Sequence, residues 1–308
     1  MPNYDRLGAY EVRTQASAVN LIDHREIQES PLEPPAADQV PDLSVIVPTR
    51  NEADNIRPLL VGLEDALAGI DAEVLIVDDS DDATPEIARQ AATLSALPIR
   101  VHARPPGQRS GGLGGAVLVG LSEALGPVCV VMDADLQHPP ELLGTLLQVS
   151  RTGVDFVVAS RYRDEGGAEG LGGWHRRAVS TLATRVAKRV LRPELTGVSD
   201  PMSGFFLVRR SCLDLSLLHP RGFKLLLEML AHSPQASVAE VPYTFGVRHS
   251  GVSKAGITEG LTYLRRLAEL RAQARRAPRR SRPPHAPAPS GVAGYGRGVR
   301  QVGSRGVK

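Results

Sequence analysis

LSVIVPTRNEADNIRPLLVGLEDALAGIDAEVLIVDDSDDATPEIARQAATL, residues 43–94, decides the fold. Two unbroken apolar runs of strand length, LSVIVP at 43–48 and EVLIVDD at 73–79, are each followed by an amphipathic segment of helix length, 52–67 and 83–94. A strand that is apolar on both faces rather than on alternate positions must be covered on both faces, as in a parallel sheet sandwiched between helices. The alternation continues with IRVHA then GGAVLVGLSEAL, VCVVMDAD then PPELLGTLLQVS, and DFVVAS at 155–160. The pattern predicts an α/β fold: a Rossmann-like, mostly parallel sheet flanked by helices, in a single domain with disordered tails.

Composition sets the outer limits of that domain. With 308 residues, 42% hydrophobic and 23% charged, the chain falls in the ordinary globular class. Residues 1–41 contain PLEPPAADQVP and read as a flexible extension. The domain proper is placed at 42–256, an amphipathic helix at 257–273, and a disordered Arg/Pro/Gly-rich tail at 274–308. Residues 271–308 carry ten basic side chains and no acid, so the net charge of +2 hides a body about eight charges negative. The longest apolar runs, such as 128–132, fall far short of the roughly 18 residues that cross a bilayer. No secretory leader is visible, and cytoplasmic residence is expected. The two cysteines, Cys129 and Cys212, exclude a disulfide framework and a zinc cluster.

In an open parallel sheet, ligands bind beyond the carboxyl ends of the strands. Those ends carry Arg50 and Glu52 after the first strand, Asp78 and Asp79 after the second, Asp133 and Asp135 after the fourth, and Arg161 after the fifth. MDADLQHPP, 132–140, is the sharpest signal: Asp133 and Asp135 flank a small Ala134, and Gln137 adds an amide oxygen. Hard divalent cations want oxygen ligands, and Mg²⁺ is commonly held by one or two carboxylates together with phosphate oxygens. The competing reading is a loop whose acids cap the next helix. Asp78 and Asp79 can accept from a nucleoside's hydroxyl or N–H groups, whereas Asp81 or Asp82 reads as a helix cap. RSGGLGGAV, 109–117, is glycine-rich before a helix and reads more readily as a tight turn than as a phosphate cradle. The second half supplies cations, Arg161, Arg176, Arg177, Arg248 and Lys254, whose forks and ammonium suit phosphate; a solvated basic face is the alternative.

Taken in order, IVPTRNEADNI, VDDSDDAT, GLGGAV, MDADLQHPPE, SRY, DPMSGFF and RHSGVSK resemble glycosyltransferase family 2, in its dolichol-phosphate or polyprenol-phosphate mannose synthase branch, over roughly 43–256. The resemblance implies a GT-A type fold, a Mg²⁺ or Mn²⁺ ion, a GDP-mannose donor, a polyprenyl phosphate acceptor and inversion at the anomeric carbon. It implies donor binding by Pro48, Arg50, Glu52, Val77, Asp78, Asp79, Asp133, Ala134, Arg248 and Lys254, and metal ligation by Asp133, Asp135 and Gln137. It places the acceptor phosphate on Arg161, Arg176 and Ser180, with Asp135, Arg161 and Arg248 as catalytic groups. Arg50 departs from the family, which often has an aromatic residue in this turn. The expected setting is the cytoplasmic face of a membrane, with the chain bound peripherally, alone or through a separate anchor subunit. The 257–273 helix and basic tail suit an interfacial anchor, and equally a helix packed on the domain followed by a solvated tail. Nucleic-acid binding is not expected. The rival readings are a UDP-glucose or other UDP-sugar transferase acting on undecaprenyl phosphate, and a non-catalytic nucleotide-binding scaffold.

Overall fold

The computed structural model describes residues 40–162, 167, 184–191, 195, 197–219, 224–246 and 267–272. Seven strands form one sheet in the order β3-β2-β1-β4-β6-β5-β7. They are β1 (Leu43–Thr49), β2 (Ala72–Asp78), β3 (Ile99–Ala103), β4 (Val128–Val131), β5 (Phe156–Ser160), β6 (Phe206–Arg209) and β7 (Val238–Pro242). The helices are α1 (Ala53–Ala66), α2 (Thr84–Ala92), α3 (Gly112–Glu123), α4 (Leu142–Ser150) and α5 (Leu225–His232), with further helical residues at 184–190 and 267–272.

The apolar runs behave as their composition requires. Along β1, Leu43, Val45 and Val47 face one core with α1, α2 and α4, while Ile46 faces the other with Val117 and Leu121 of α3. This is the two-residue alternation of a strand buried on both sides. All seven residues of β1 and of β2 are buried, whereas edge strand β3 is half-buried throughout. The second core also takes Ala187, Leu191 and most of α5.

One strand runs against the expected direction. β1, β2, β3 and β4 are parallel, and β5 is parallel to β7, but β6 lies antiparallel between β4 and β5. Its first residue, Phe206, therefore pairs with Val131 at the last position of β4. Reversal brings the start of β6, and the turn before it, to the edge where the parallel strands end.

The C-terminal helix is only partly described. Within 267–272, Leu267 and Leu270 are each 1% exposed and belong to the second core. For that portion, the apolar face packs on the domain instead of being available to a bilayer. Residues 257–266, the extension 1–39 and the tail from 273 lie outside the described residues, as do Arg176, Arg177, Ser180, Arg248 and Lys254. Among the described residues no helix is long and apolar enough to cross a membrane.

Candidate active site

The first group of polar residues lies at the ends of β1 and β2, and it is mostly bound to itself. Asp78 is 1% exposed. Its Oδ1 accepts from Thr49 Oγ1 at 2.6 Å and Ser80 Oγ at 2.6 Å, and its Oδ2 accepts from Ser80 N at 3.0 Å. Asp79, also buried, is gripped by Arg104 in a two-pronged pair, Nε to Oδ1 at 2.7 Å and Nη2 to Oδ2 at 2.5 Å. The same guanidinium donates to the carbonyls of Gln108, Ser110 and Gly112, tying the glycine-rich loop to β2. Such a fork matches a carboxylate better than any other cation. Asp82 accepts from Thr84 N at 3.0 Å in a local turn just ahead of α2, whose N-cap position is Ala83 with no side-chain cap, so the expected capping aspartate is not found, and Asp81 pairs with Arg109.

The β1 turn is zipped to this loop. Asn51, left-handed at φ 55°, donates its N–H to Ser80 Oγ and accepts from Asp81 N, while Glu52 N donates to Thr84 Oγ1 at 2.9 Å. Arg50 is exposed, Pro48 is buried in β1, and the Val77 side chain packs with Leu75 and Ala116. The glycines after β3 serve geometry: Gly111 and Gly112 take positive φ, and a Cβ on Gly115 would fall 2.0 Å from the Ser110 carbonyl.

The second group, after β4, is arranged differently. Asp133 keeps 34% of its side chain exposed, whereas Ala134, Asp135 and Gln137 are buried. Asp135 Oδ1 accepts from Gln137 N at 3.1 Å. Between them Leu136 is held at φ 62°, a conformation costing a non-glycine residue about 1 kcal/mol or more and tolerated chiefly where the surroundings enforce it. Gln137 and Gly246, just past β7, exchange two bonds of 2.9 Å: Gly246 N to Gln137 O, and Gln137 Nε2 to Gly246 O. Asp133 N donates to His138 Nδ1 at 3.0 Å. That nitrogen carries no proton, so His138 is neutral with its proton on Nε2. Burial, with help from the charge of Arg161, lowers its pKa to about 3.

Opposite this loop stands Arg161. Its Nε and Nη2 donate to the two oxygens of Asp200 at 2.7 and 2.9 Å, and Asp200 is fully buried in the turn before β6. Burial works against the charge on Arg161, but the bonds and charge of Asp200 outweigh it, so its pKa lies above the ordinary arginine value. Asp200 is positioned in turn by Glu240 of β7, whose Oε1 accepts from Ser199 N, Ser199 Oγ and Asp200 N. The Phe245 ring joins the two sides, 5.5 Å from the Arg161 guanidinium and 5.6 Å from the His138 ring. The Tyr243 phenol, kept protonated by burial, sits in the field of Arg161, Asp200 and Asp133.

The structure thus brings together Asp133, Asp135, Gln137 and Arg161 among the expected site residues, and it adds Asp200, His138, Tyr243, Phe245 and Arg104. Asp200 and His138 lie inside the motifs DPMSGFF and MDADLQHPP, so attention to every polar residue of a motif would have found them. Arg104 had the same signal as Asp79: a charged residue one step past a strand.

The β4 loop carries oxygen donors of the kind a divalent ion takes. Its donors are hard oxygens, and Asp133 packs closely on Gly204, where a Cβ would stand 2.9 Å from Asp133 Oδ2. Among the described residues no cluster of three or more His, Cys, Asp or Glu could hold a metal. An ion here would take the remaining ligands from the amide of Gln137 and from a bound phosphate, the usual habit of Mg²⁺.

Residues 44–215 match the family model of glycosyl transferase family 2. The dolichol-phosphate mannosyltransferase of Pyrococcus furiosus is 39% identical over 231 residues, covering 74% of this chain and 63% of that protein. That of Saccharomyces cerevisiae is 36% identical over 245 residues, 74% of this chain and 86% of its own. This chain thus spans under two thirds of the archaeal relative's length. Among solved structures, glucosyl-3-phosphoglycerate synthase from Mycobacterium tuberculosis, in complex with Mn²⁺, UDP and phosphoglyceric acid, superposes with a TM-score of 0.57 at 22% identity, over 77% of this chain and 80% of that one. At that identity it establishes the fold, which is of the GT-A type.

Proposed function

Because the chain belongs to glycosyltransferase family 2, we propose that it transfers mannose from GDP-mannose to a polyprenyl phosphate, giving polyprenyl-phosphate-mannose and GDP with inversion. The observation that carries this reading is the opposition of two carboxylates, Asp133 and Asp135, to a guanidinium fixed by Asp200, with Phe245 touching both sides. The relatives of 36–39% identity are named for transfer of mannose to dolichol phosphate.

The nucleoside would lie over the β1 and β2 ends, against Pro48, Arg50, Glu52 and the main chain near Val77, in a loop shaped by Asp78 and Asp79. Asp133, Asp135 and Gln137 would hold Mg²⁺ or Mn²⁺, which when bound supplies positive charge against the diphosphate beside Ala134. Arg248 and Lys254 would add further charge, and Arg161, Arg176 and Ser180 would receive the acceptor phosphate. That phosphate is already an anion near neutral pH, so no strong general base is required. One of its oxygens forms a bond to the anomeric carbon as the bond from that carbon to the diphosphate oxygen breaks, and GDP leaves with the electron pair. Arg161, stiffened by Asp200 and Glu240, aligns the attacking anion and offsets the repulsion between two negative reactants. The acceptor's lipid tail requires that the reaction occur at a membrane surface. There the protein would act peripherally, at the cytoplasmic face, alone or with a membrane-bound partner.

The test is to incubate protein and Mg²⁺ with labelled GDP-mannose or labelled UDP-glucose, with and without polyprenyl phosphate, and count label in the organic phase. Lipid-dependent label from GDP-mannose is expected. Label from UDP-glucose alone would move the protein to the undecaprenyl-phosphate branch. No label from either, in folded protein, would favour the scaffold reading.

A further inference from the structure

We infer that His138 is a positioning residue for Asp133: by accepting the Asp133 main-chain N–H, its imidazole fixes where the first carboxylate of the metal loop stands. The inference rests on the metal-dependent reading of that loop. Three observations on the ring support it. Its Nδ1 accepts from Asp133 N at 3.0 Å, while Nε2 faces Asp133 Oδ2 from 3.9 Å, so one imidazole sits against both the main chain and the carboxylate of one residue. The ring itself has little freedom: it is 1% exposed, stacked on Phe205 at 5.1 Å and 22°, with Tyr243 at 6.0 Å and Phe245 at 5.6 Å. And Gly204, next to Phe205, lacks the Cβ that would stand 2.9 Å from Asp133 Oδ2 and 3.2 Å from His138 Cε1, so carboxylate, imidazole and the β6 turn pack closely, and a side chain here would displace the carboxylate.

The loop needs such a hold. Asp133 follows a short strand whose ladder to β1 ends at Val131, and Leu136 beyond it is held in an unfavourable conformation. A carboxylate on a loose loop would bind an ion over many geometries and hold none well. Residues that orient a ligand from behind change metal affinity by about 10- to 100-fold when removed.

The variants His138→Asn and His138→Gln separate this role from simple packing. Asn places Oδ1 where Nδ1 stands and can still accept from Asp133 N; Gln carries its oxygen one bond further, near the position of Nε2. Both leave a comparable void against Phe205, Tyr243 and Phe245, so both should lose thermal stability to a similar degree. The measurement is Mn²⁺ binding to the full chain in the presence of GDP, by titration calorimetry or from the spin resonance of free Mn²⁺, beside melting curves of the same samples. The inference expects the Gln variant to bind Mn²⁺ at least tenfold more weakly than wild type and the Asn variant within about threefold of it. Equal affinities in the two variants, whether both weakened or both normal, would overturn it while leaving the metal assignment standing. A wild-type protein that binds no Mn²⁺ with GDP would overturn the metal assignment and this inference with it.

Discussion

Two pairs of aspartates, each at the end of a parallel strand, are put to opposite uses. After β2, Asp78 and Asp79 are buried and turned inward, taken up by Thr49, Ser80 and Arg104. After β4, the loop is held largely through its backbone, by His138 and Gly246, and the Asp133 side chain stays one third exposed. The first pair shapes a surface and the second presents charge. Among the described residues, the guanidiniums nearest the two pairs are committed differently. Arg104 stands one residue beyond the strand beside β2, with Arg104 N bonded to Asp78 O. On the β4 side the guanidinium is Arg161, which follows β5, one strand removed from β4 across β6, and it is engaged by Asp200.

The largest expected effect lies on the β4 side. Asp135→Ala should reduce transfer on the order of 10³-fold with a circular dichroism spectrum like wild type, since on the proposed reading it removes a ligand of the ion that would offset the charge of the diphosphate. Retained transfer would mean that the two loops do not differ as described. The β2 side should respond in stability. Arg104→Gln leaves the buried Asp79 without its partner and should cost about 3–5 kcal/mol in denaturant unfolding, as breaking a buried ion pair does. A variant of normal stability that had lost transfer would instead place Arg104 among the substrate contacts.

A smaller effect tests the anchor of the β4 loop. The folded pKa of His138, about 3, lies below its unfolded value of 6.5. The unfolded chain therefore binds the extra proton first, and the stability His138 contributes is complete above about pH 6.5 and is lost as pH falls towards 3. Between pH 6.5 and 5 this should amount to about 2 kcal/mol, seen as a fall in the unfolding midpoint that is reduced in His138→Asn. Smallest is Gly204→Ala, where the new methyl meets the movable end of Asp133. It should lower kcat/KM about tenfold and shift unfolding by no more than about 1 kcal/mol.

The parallel strands and their helices were legible because burial on both faces writes an unbroken apolar run, and β1 and β2 are buried from end to end. The reversal of β6 was not, because FLVR has the same composition in either direction; its sense is fixed by pairing with β4, some 75 residues earlier in the chain. Asp133 and Asp135 were legible as candidate ligands from their spacing alone. The inward turn of Asp79 was not, since it depends on an arginine 25 positions away that no local pattern connects to it. Asp200 stands in the motif DPMSGFF, and the antiparallel course of β6 brings the turn that holds it beside Arg161.

The most direct test of the account is transfer by metal-stripped protein. Wild type is treated with EDTA, desalted, and supplied with labelled GDP-mannose, with Mg²⁺ or Mn²⁺ and polyprenyl phosphate each present or absent, and label is counted in the organic phase. Label is expected only when metal and lipid are both present, and on the order of 10³-fold less from Asp135→Ala. Label that appears without metal, or that Asp135→Ala produces as well as wild type, would contradict it.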